Sequence, residues 1–235
     1  LLHPEFLAEL HRAATESGMP IACCRRVLFT DDAVPAPAPL TAKTTLYHAP
    51  DHLDALLHNH GMDFGVWNKL YTADLPLENL LENDILYNED LMANWRIFLP
   101  AKGCVYLPFD GYLYRQHTAS MSHALPPQSL DDQRTAALRI RESVPAQWPA
   151  LQQSADAFYY EKLVYLTSMI LRRENTELYR VQYGEMLIAI SSGLKDRRLG
   201  RNPRLPFVMR LAAIATVRCP KLWRKLCRKY LKDRQ

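Results

Sequence analysis

The chain has 235 residues, 48% hydrophobic and 23% charged, with only eight glycines. That balance excludes a disordered or low-complexity segment and suits one large domain, or a domain with an appendage. Its net charge of +4 hides a split: residues 195–235 hold fourteen Lys/Arg against two acids, while residues 1–194 hold fifteen Lys/Arg against twenty-three acids. An acidic body with a basic tail points to an anionic partner for the tail.

In chain order, Pro4–Ser17 reads as a helix: Pro4 suits a first turn, Phe6, Leu7, Leu10, Ala13 and Ala14 share one face, and Gly18 stops it. Leu1 opens directly into this helical pattern, with no leader-like charged and apolar run, so the expectation is a fragment of a longer chain. Ile21–Thr30 has a strand pattern, and prolines at 35, 37 and 39 make residues 31–39 a loop. A short helix is expected over Asp51–Asn59, a strand over Val66–Tyr71 and a helix from Glu89 to Leu99, stopped by Pro100. Two short strands, Cys104–Leu107 and Gly111–Arg115, follow. Pro126 and Pro127 mark a boundary, dividing the chain into residues 1–124 and 125–235. Beyond it the pattern is helical over residues 130–144, 155–173, 176–191, 206–217 and 221–232, with Ser129 and Asp132 as a capping pair for the first. The fold class is therefore α/β, a mixed sheet with flanking helices followed by a mostly helical extension.

Five cysteines (Cys23, Cys24, Cys104, Cys219, Cys227) lack zinc-ligand or redox spacing and read as buried free thiols. His48, His52, His58 and His60 crowd one region without a recurring third ligand, and read as solvated or capping residues. Asp31-Asp32 lies in a proline-rich loop and Asp131-Asp132 in a helix's first turn, so neither reads as a metal motif. There is no phosphate-binding glycine loop.

Three blocks carry chemistry. Asn88-Glu89-Asp90 places two acids at a helix start, where the helix dipole stabilises them by about 0.3–1 kcal/mol. Consecutive helical residues diverge by about 100°, so one of the two faces a given cleft. Upstream, Trp67 offers a ring to the apolar face of a sugar, and Lys69 a cation to a phosphate or carboxylate. Downstream, Arg115 supplies a planar fork for phosphate oxygens, with His117, Ser120 and Ser122 adding donors. Each block alone also reads as ordinary structure: a helix start, a core residue beside a solvated lysine, a polar loop.

Together and in this order, Trp67-Asn68-Lys69-Leu70-Tyr71, Asn88-Glu89-Asp90 and Tyr112-Leu113-Tyr114-Arg115-Gln116-His117-Thr118-Ala119-Ser120-Met121-Ser122 resemble the second half of a family 2 glycosyltransferase catalytic domain. The resemblance covers residues 1–124 and implies a partial GT-A fold. It also implies sugar transfer, with inversion, from a nucleotide-sugar donor to a hydroxyl of a lipid-linked or saccharide acceptor, in bacterial surface polysaccharide synthesis. Asp90 would be the base and Glu89 its neighbour. Trp67 and Lys69 would flank the sugar cleft, and Arg115, His117, Ser120 and Ser122 would close over the donor diphosphate. In the family a metal-binding Asp-x-Asp precedes a helix that reads like Leu2–Leu7. The Mg or Mn ion expected for the parent enzyme thus has no Asp-x-Asp within these residues, and no metal ligand is expected among them. The nucleotide-binding N-terminal half is likewise expected to lie outside the chain.

The tail has its own pattern. From Lys221 to Lys232, Leu222, Trp223, Leu226, Cys227, Tyr230 and Leu231 share one half of the helical wheel. Lys221, Arg224, Lys225, Arg228, Lys229 and Lys232 share the other. Such a helix suits a lipid headgroup layer, where each basic residue adds about 1 kcal/mol on an anionic leaflet. Lys221, Trp223, Arg224, Lys225, Arg228, Lys229 and Tyr230 are the expected membrane contacts, with packing on the acidic body as the alternative. No nucleic-acid partner is expected, because neither a stacking platform nor a DNA-reading motif accompanies the charge. Residues 206–217 are apolar nearly all round but too short for a span of about 20 residues, so they read as buried or interfacial. The expected location is cytoplasmic, peripheral at the inner face of the plasma membrane. The competing function is a non-catalytic membrane-docking or acceptor-recognition module.

Overall fold

A computed structural model of the chain describes residues 1–30, 34, 43–59, 62–78, 80–81, 84–116 and 126–230. The chain divides into two compact units, Leu1–Leu125 and Pro126–Gln235.

In the first unit, α1 (Phe6–Ser17), β1 (Ile21–Phe29), β2 (Thr45–His48), α2 (Asp51–Leu57), β3 (Lys69–Tyr71), α3 (Glu89–Phe98) and β4 (Gly103–Arg115) follow one another. The four strands form one mixed sheet in the order β2-β4-β1-β3. β4 runs parallel to β1, while the edge strands are antiparallel to their neighbours. Helix α1 ends where Gly18 takes the left-handed conformation (φ 66°). Its buried stripe of Phe6, Leu10 and Ala13 packs on Ala22, Cys24, Val105, Leu107 and Phe109, which alternation sets on one face of the sheet. Cys23 and Cys104 lie on the opposite face, where Cys104 meets Met62 at 3.4 Å. Helices α2 and α3 are joined by His52, whose ring stacks on Phe98 and whose Nε2 bonds the Phe98 carbonyl at 2.8 Å.

Three elements differ from expectation. β2 is a four-residue edge strand with no buried side chain, so it carries no hydrophobic alternation to read. β4 is one thirteen-residue strand rather than two short ones. Its register on β1 jumps from Cys24↔Leu107 to Arg26↔Tyr112, so three extra residues bulge from β4 where Pro108, Asp110 and Gly111 look like a turn. Arg25 pairs with Asp110 across this bulge, and Gly111 lies so close to Cys24 that a Cβ there would sit 2.6 Å from its sulfur. Third, only Lys69–Tyr71 of the expected 66–71 strand is extended; Trp67 and Asn68 lie in the turn before it.

The second unit is helical: α4 (Pro127–Glu142), α5 (Pro149–Arg172), a 3-10 turn (Glu177–Tyr179), α6 (Arg180–Lys195), α7 (Phe207–Arg218) and α8 (Pro220–Tyr230). The long α5 is its axis, packing against α4, α6, α7 and α8. α5 starts at Pro149, six residues before its expected start, because proline is favoured in a first helical turn. The same preference displaces the expected Ser129/Asp132 cap. α4 begins at Pro127 with Pro126 as its N-cap, so Ser129 and Asp132 are buried inside the helix, where they accept bonds from Gln133 and Gln128. Among the described residues, no helix is long and apolar enough to cross a membrane.

Candidate active site

The site is built on the turn that precedes β3. Lys69 pairs with Cys23 of β1, and Asn68 prolongs that pairing: the Cys24 N–H donates to the Asn68 carbonyl (3.0 Å), and the Asn68 amide donates back to the Cys24 carbonyl (2.7 Å). The Lys69 side chain folds back under the turn, 6% exposed. Its ammonium donates to the carbonyls of Asp63 (2.5 Å) and Gly65 (2.6 Å) and to Asn68 Oδ1 (2.9 Å). All three of its protons are thereby used within the turn. Burial pulls the Lys69 pKa below the usual lysine value, against the attraction of Asp63 and Asp90 among the groups around it. Expected as a ligand-reaching cation, Lys69 is instead the clamp that shapes residues 63–69.

Helix α3 approaches this turn end-on. Asn88 adopts the left-handed conformation (φ 72°) and opens the helix, with Glu89 and Asp90 half-buried in its first turn. Burial pushes the Asp90 pKa above the ordinary carboxylate value; the Val66 N–H and the Lys69 ammonium oppose that rise, and Asp63 adds to it. One turn along, the fully buried Asn94 donates to the carbonyls of Phe64 (2.6 Å) and Asp90 (3.0 Å) and accepts from the Tyr71 hydroxyl (2.8 Å). Asn94 thus bolts the helix start to the turn and to β3, and fixes Asp90 relative to both.

Next to Val66, the half-buried Trp67 ring lies 4.3 Å from Tyr112 and 5.5 Å from Tyr114. The Arg26 guanidinium sits 5.5 Å over both Trp67 and Tyr114 and pairs with Asp63 at 2.8 Å. These rings form a partly exposed aromatic wall, tied by Arg26–Asp63 to the same turn that holds Asp90. Arg115 departs from expectation. It is in register with Phe29, directly after Tyr114, so alternation sends it to the other face of the sheet. There its guanidinium lies 5.4 Å over the Phe29 ring. The structure therefore brings Asp90, Lys69 and Trp67 together and sets Arg115 apart from the wall. His117, Ser120 and Ser122 lie outside the described residues. A separate cleft of about 410 Å³ opens beside α1 and β3; Tyr71 lines it, but Asp90 and Trp67 do not.

No protein-family model matches the sequence, and no curated protein sequence matches it either. Solved structures do match. The chain is similar to the crystal structure of S. aureus TarS residues 1–349 in complex with UDP-GlcNAc, with a TM-score of 0.63 at 13% identity. The similarity covers 98% of this chain and 64% of that one. The fold is glycosyltransferase-like. In it the mixed sheet and its flanking helices are a partial GT-A-like arrangement, followed by the helical unit. The chain spans 64% of the TarS chain's length.

Several residues of this site escape a reading of the sequence. Asn94 had a visible signal, a carboxamide four residues after Asp90 set among Leu91, Met92, Ala93 and Trp95. Arg26, Asp63 and Asn68 had none, since their partners are distant in sequence. Among the described residues, no group of three or more His, Cys, Asp or Glu is placed to hold a metal ion. The cation beside Asp90 is the Lys69 ammonium, so the described residues do not fit the Mg or Mn ion.

The basic helix α8 also differs from its expected form. Cys227 is buried, and Trp223 is half-buried. Arg228 donates to the carbonyls of Leu171 (3.3 Å) and Arg173 (2.8 Å), and the Arg224 Nε is shielded from solvent. The Trp223/Cys227 side therefore packs inside its own unit rather than facing outward. Lys221, Lys225 and Lys229 remain exposed, and the Tyr230 side chain lies outside the described residues.

Proposed function

We propose that this chain carries the acceptor-activating part of an inverting family 2 glycosyltransferase that moves a sugar from a nucleotide-sugar donor to a hydroxyl acceptor. The observation that carries the reading is Asp90: a half-buried carboxylate at a helix start that Asn94 ties to the Phe64 carbonyl and the Tyr71 hydroxyl, its pKa raised by burial. A carboxylate whose pKa burial has raised is a better base than a solvated one. As the acceptor oxygen bonds to the anomeric carbon, its proton passes to Asp90. The bond from that carbon to the donor's phosphate oxygen breaks, and the nucleoside diphosphate leaves with the electron pair. One displacement inverts the anomeric centre.

Glu89 adds negative charge beside the base. Lys69 acts through the turn and through its field on Asp90, while Trp67, with Tyr112 and Tyr114, offers apolar faces to a sugar ring. His117, Ser120 and Ser122 are assigned to the departing diphosphate, without Arg115, which lies over Phe29 on the other face of the sheet. The TarS structure, solved with UDP-GlcNAc, supports a nucleotide-sugar donor. The acceptor is a lipid-linked or saccharide hydroxyl of bacterial surface polysaccharide synthesis. The basic tail, through the exposed Lys221, Lys225 and Lys229, keeps the protein peripheral at the cytoplasmic face of the plasma membrane.

Titration of the purified protein with UDP-GlcNAc and other nucleotide sugars, with and without Mg or Mn, tests the reading. Donor binding with turnover supports it. Absence of donor binding, with vesicle binding intact, contradicts it in favour of a non-catalytic docking module.

A further inference from the structure

Helix α7 carries an apolar stripe that its own unit leaves uncovered. Phe207, Val208, Leu211 and Ile214 are 69%, 71%, 49% and 39% exposed, while Ala212, Ala213 and Thr216 on the other side are buried. Positions 207, 211, 214 and 218 follow the helical repeat, so the stripe is one face, ending at the exposed Arg218. The face is rigidly presented. Arg210 bonds the carbonyls of Leu205 (3.0 Å) and Asn202 (2.6 Å), and Asn202 in turn bonds the Gln153 carbonyl of α5 (2.7 Å). On α8, Leu222 and Leu226 are also exposed, at 57% and 37%, each directly after an exposed lysine, Lys221 or Lys225.

Charge decides what such a face meets. Residues 197–230 contain eleven Lys/Arg and no Asp or Glu. A twofold contact between two copies would set these cations against themselves with no acid of the segment to offset them. An anionic leaflet complements both features, with acyl chains for the stripe and phosphate headgroups for the cations. The twelve residues of α7 are too few to span, so the helix lies in the interface plane.

We infer that α7 is the lipid-inserting element of this chain, its Phe207/Val208/Leu211/Ile214 ridge entering an anionic leaflet while Arg218, Lys221 and Lys225 hold the headgroups. This deepens, and rests on, the peripheral-membrane part of the function proposed above. It moves the apolar contact from the Trp223 side of α8 to α7.

The test is flotation of the purified protein with phosphatidylcholine vesicles and with vesicles containing phosphatidylglycerol, in the absence of any donor. Binding is expected to the anionic vesicles, weakening as salt rises. Phe207→Ser with Leu211→Ser should lower it at least tenfold with an unchanged circular dichroism melt. Arg218→Gln with Lys221→Gln and Lys225→Gln should abolish the preference for phosphatidylglycerol. Wild-type affinity in the serine variant overturns the inference. So does concentration-dependent dimerisation without vesicles that the serine variant abolishes, since the stripe would then be a protein interface. Donor binding measured on the same samples separates the two readings: loss of donor binding with vesicle binding retained counts against the transferase alone.

Discussion

Around Asp90 the first unit buries polar groups and gives each a partner, whereas along α7 the second unit leaves apolar groups in water. Lys69, Asn68 and Asn94 are each under a tenth exposed, and their hydrogen bonds converge on one turn and one helix start. Burying such groups is costly unless they are paired, and the return is a geometry with few alternatives. Phe207 and Val208 are each over two-thirds exposed, and nothing among the described residues of their own unit covers them. An ordinary core satisfies neither description, and departures from local consistency of this kind mark positions kept for function. One device holds a carboxylate still; the other offers a surface.

The contrast predicts opposite responses to substitution. The largest effect on stability belongs to Lys69→Met. It leaves the carbonyls of Asp63 and Gly65 and the Asn68 side chain without their donor, which should cost about 3 kcal/mol, read as a lower urea midpoint. Asn94→Ala should cost about 2 kcal/mol by the same measurement, since the Tyr71 hydroxyl and the Phe64 carbonyl lose their partner. Its transfer rate should fall further than its stability, because Asp90 is released from the turn. Trp67→Ala should reduce kcat/KM about tenfold by removing the central ring of the wall, with Tyr112 and Tyr114 left in place. At the small end, Phe207→Ser with Leu211→Ser should change unfolding stability by no more than about 0.5 kcal/mol, since little is buried there to lose. A cost near that of Asn94→Ala would contradict the contrast.

A pH prediction sharpens it. Burial raises the Asp90 pKa, so the folded chain binds that proton more tightly than the unfolded chain does. Ionisation of Asp90 therefore costs stability, and that cost appears as pH rises through the window from the ordinary carboxylate value to the raised one. Asp90→Asn removes the cost. The variant should melt at or above the wild-type temperature at pH 7, and the difference should vanish near about pH 3, where the carboxyl is protonated in both states.

How much was legible follows from how local each cause is. Helix α1 and its Gly18 stop, and α3 opening at Asn88-Glu89-Asp90, depend on neighbours a few residues away, and the pattern shows them. The α/β class follows from the same local signals. What escaped depends on distant partners. β2 is held by β4 with no buried side chain of its own, and the β4 bulge is held by Arg25 and the fit of Gly111 on Cys24. The direction of Arg115 depends on strand phase across that bulge, which no spacing in the sequence reveals. Lys69 has the same explanation: a lysine after a tryptophan reads as solvated until the turn beneath it is seen.

The central claim is that Asp90 is the base, and Asp90→Asn tests it most directly. Transfer from a nucleotide-sugar donor to an acceptor hydroxyl should fall at least 10²-fold, with donor affinity and the melting curve retained. Normal turnover by a folded Asp90→Asn protein would contradict the account.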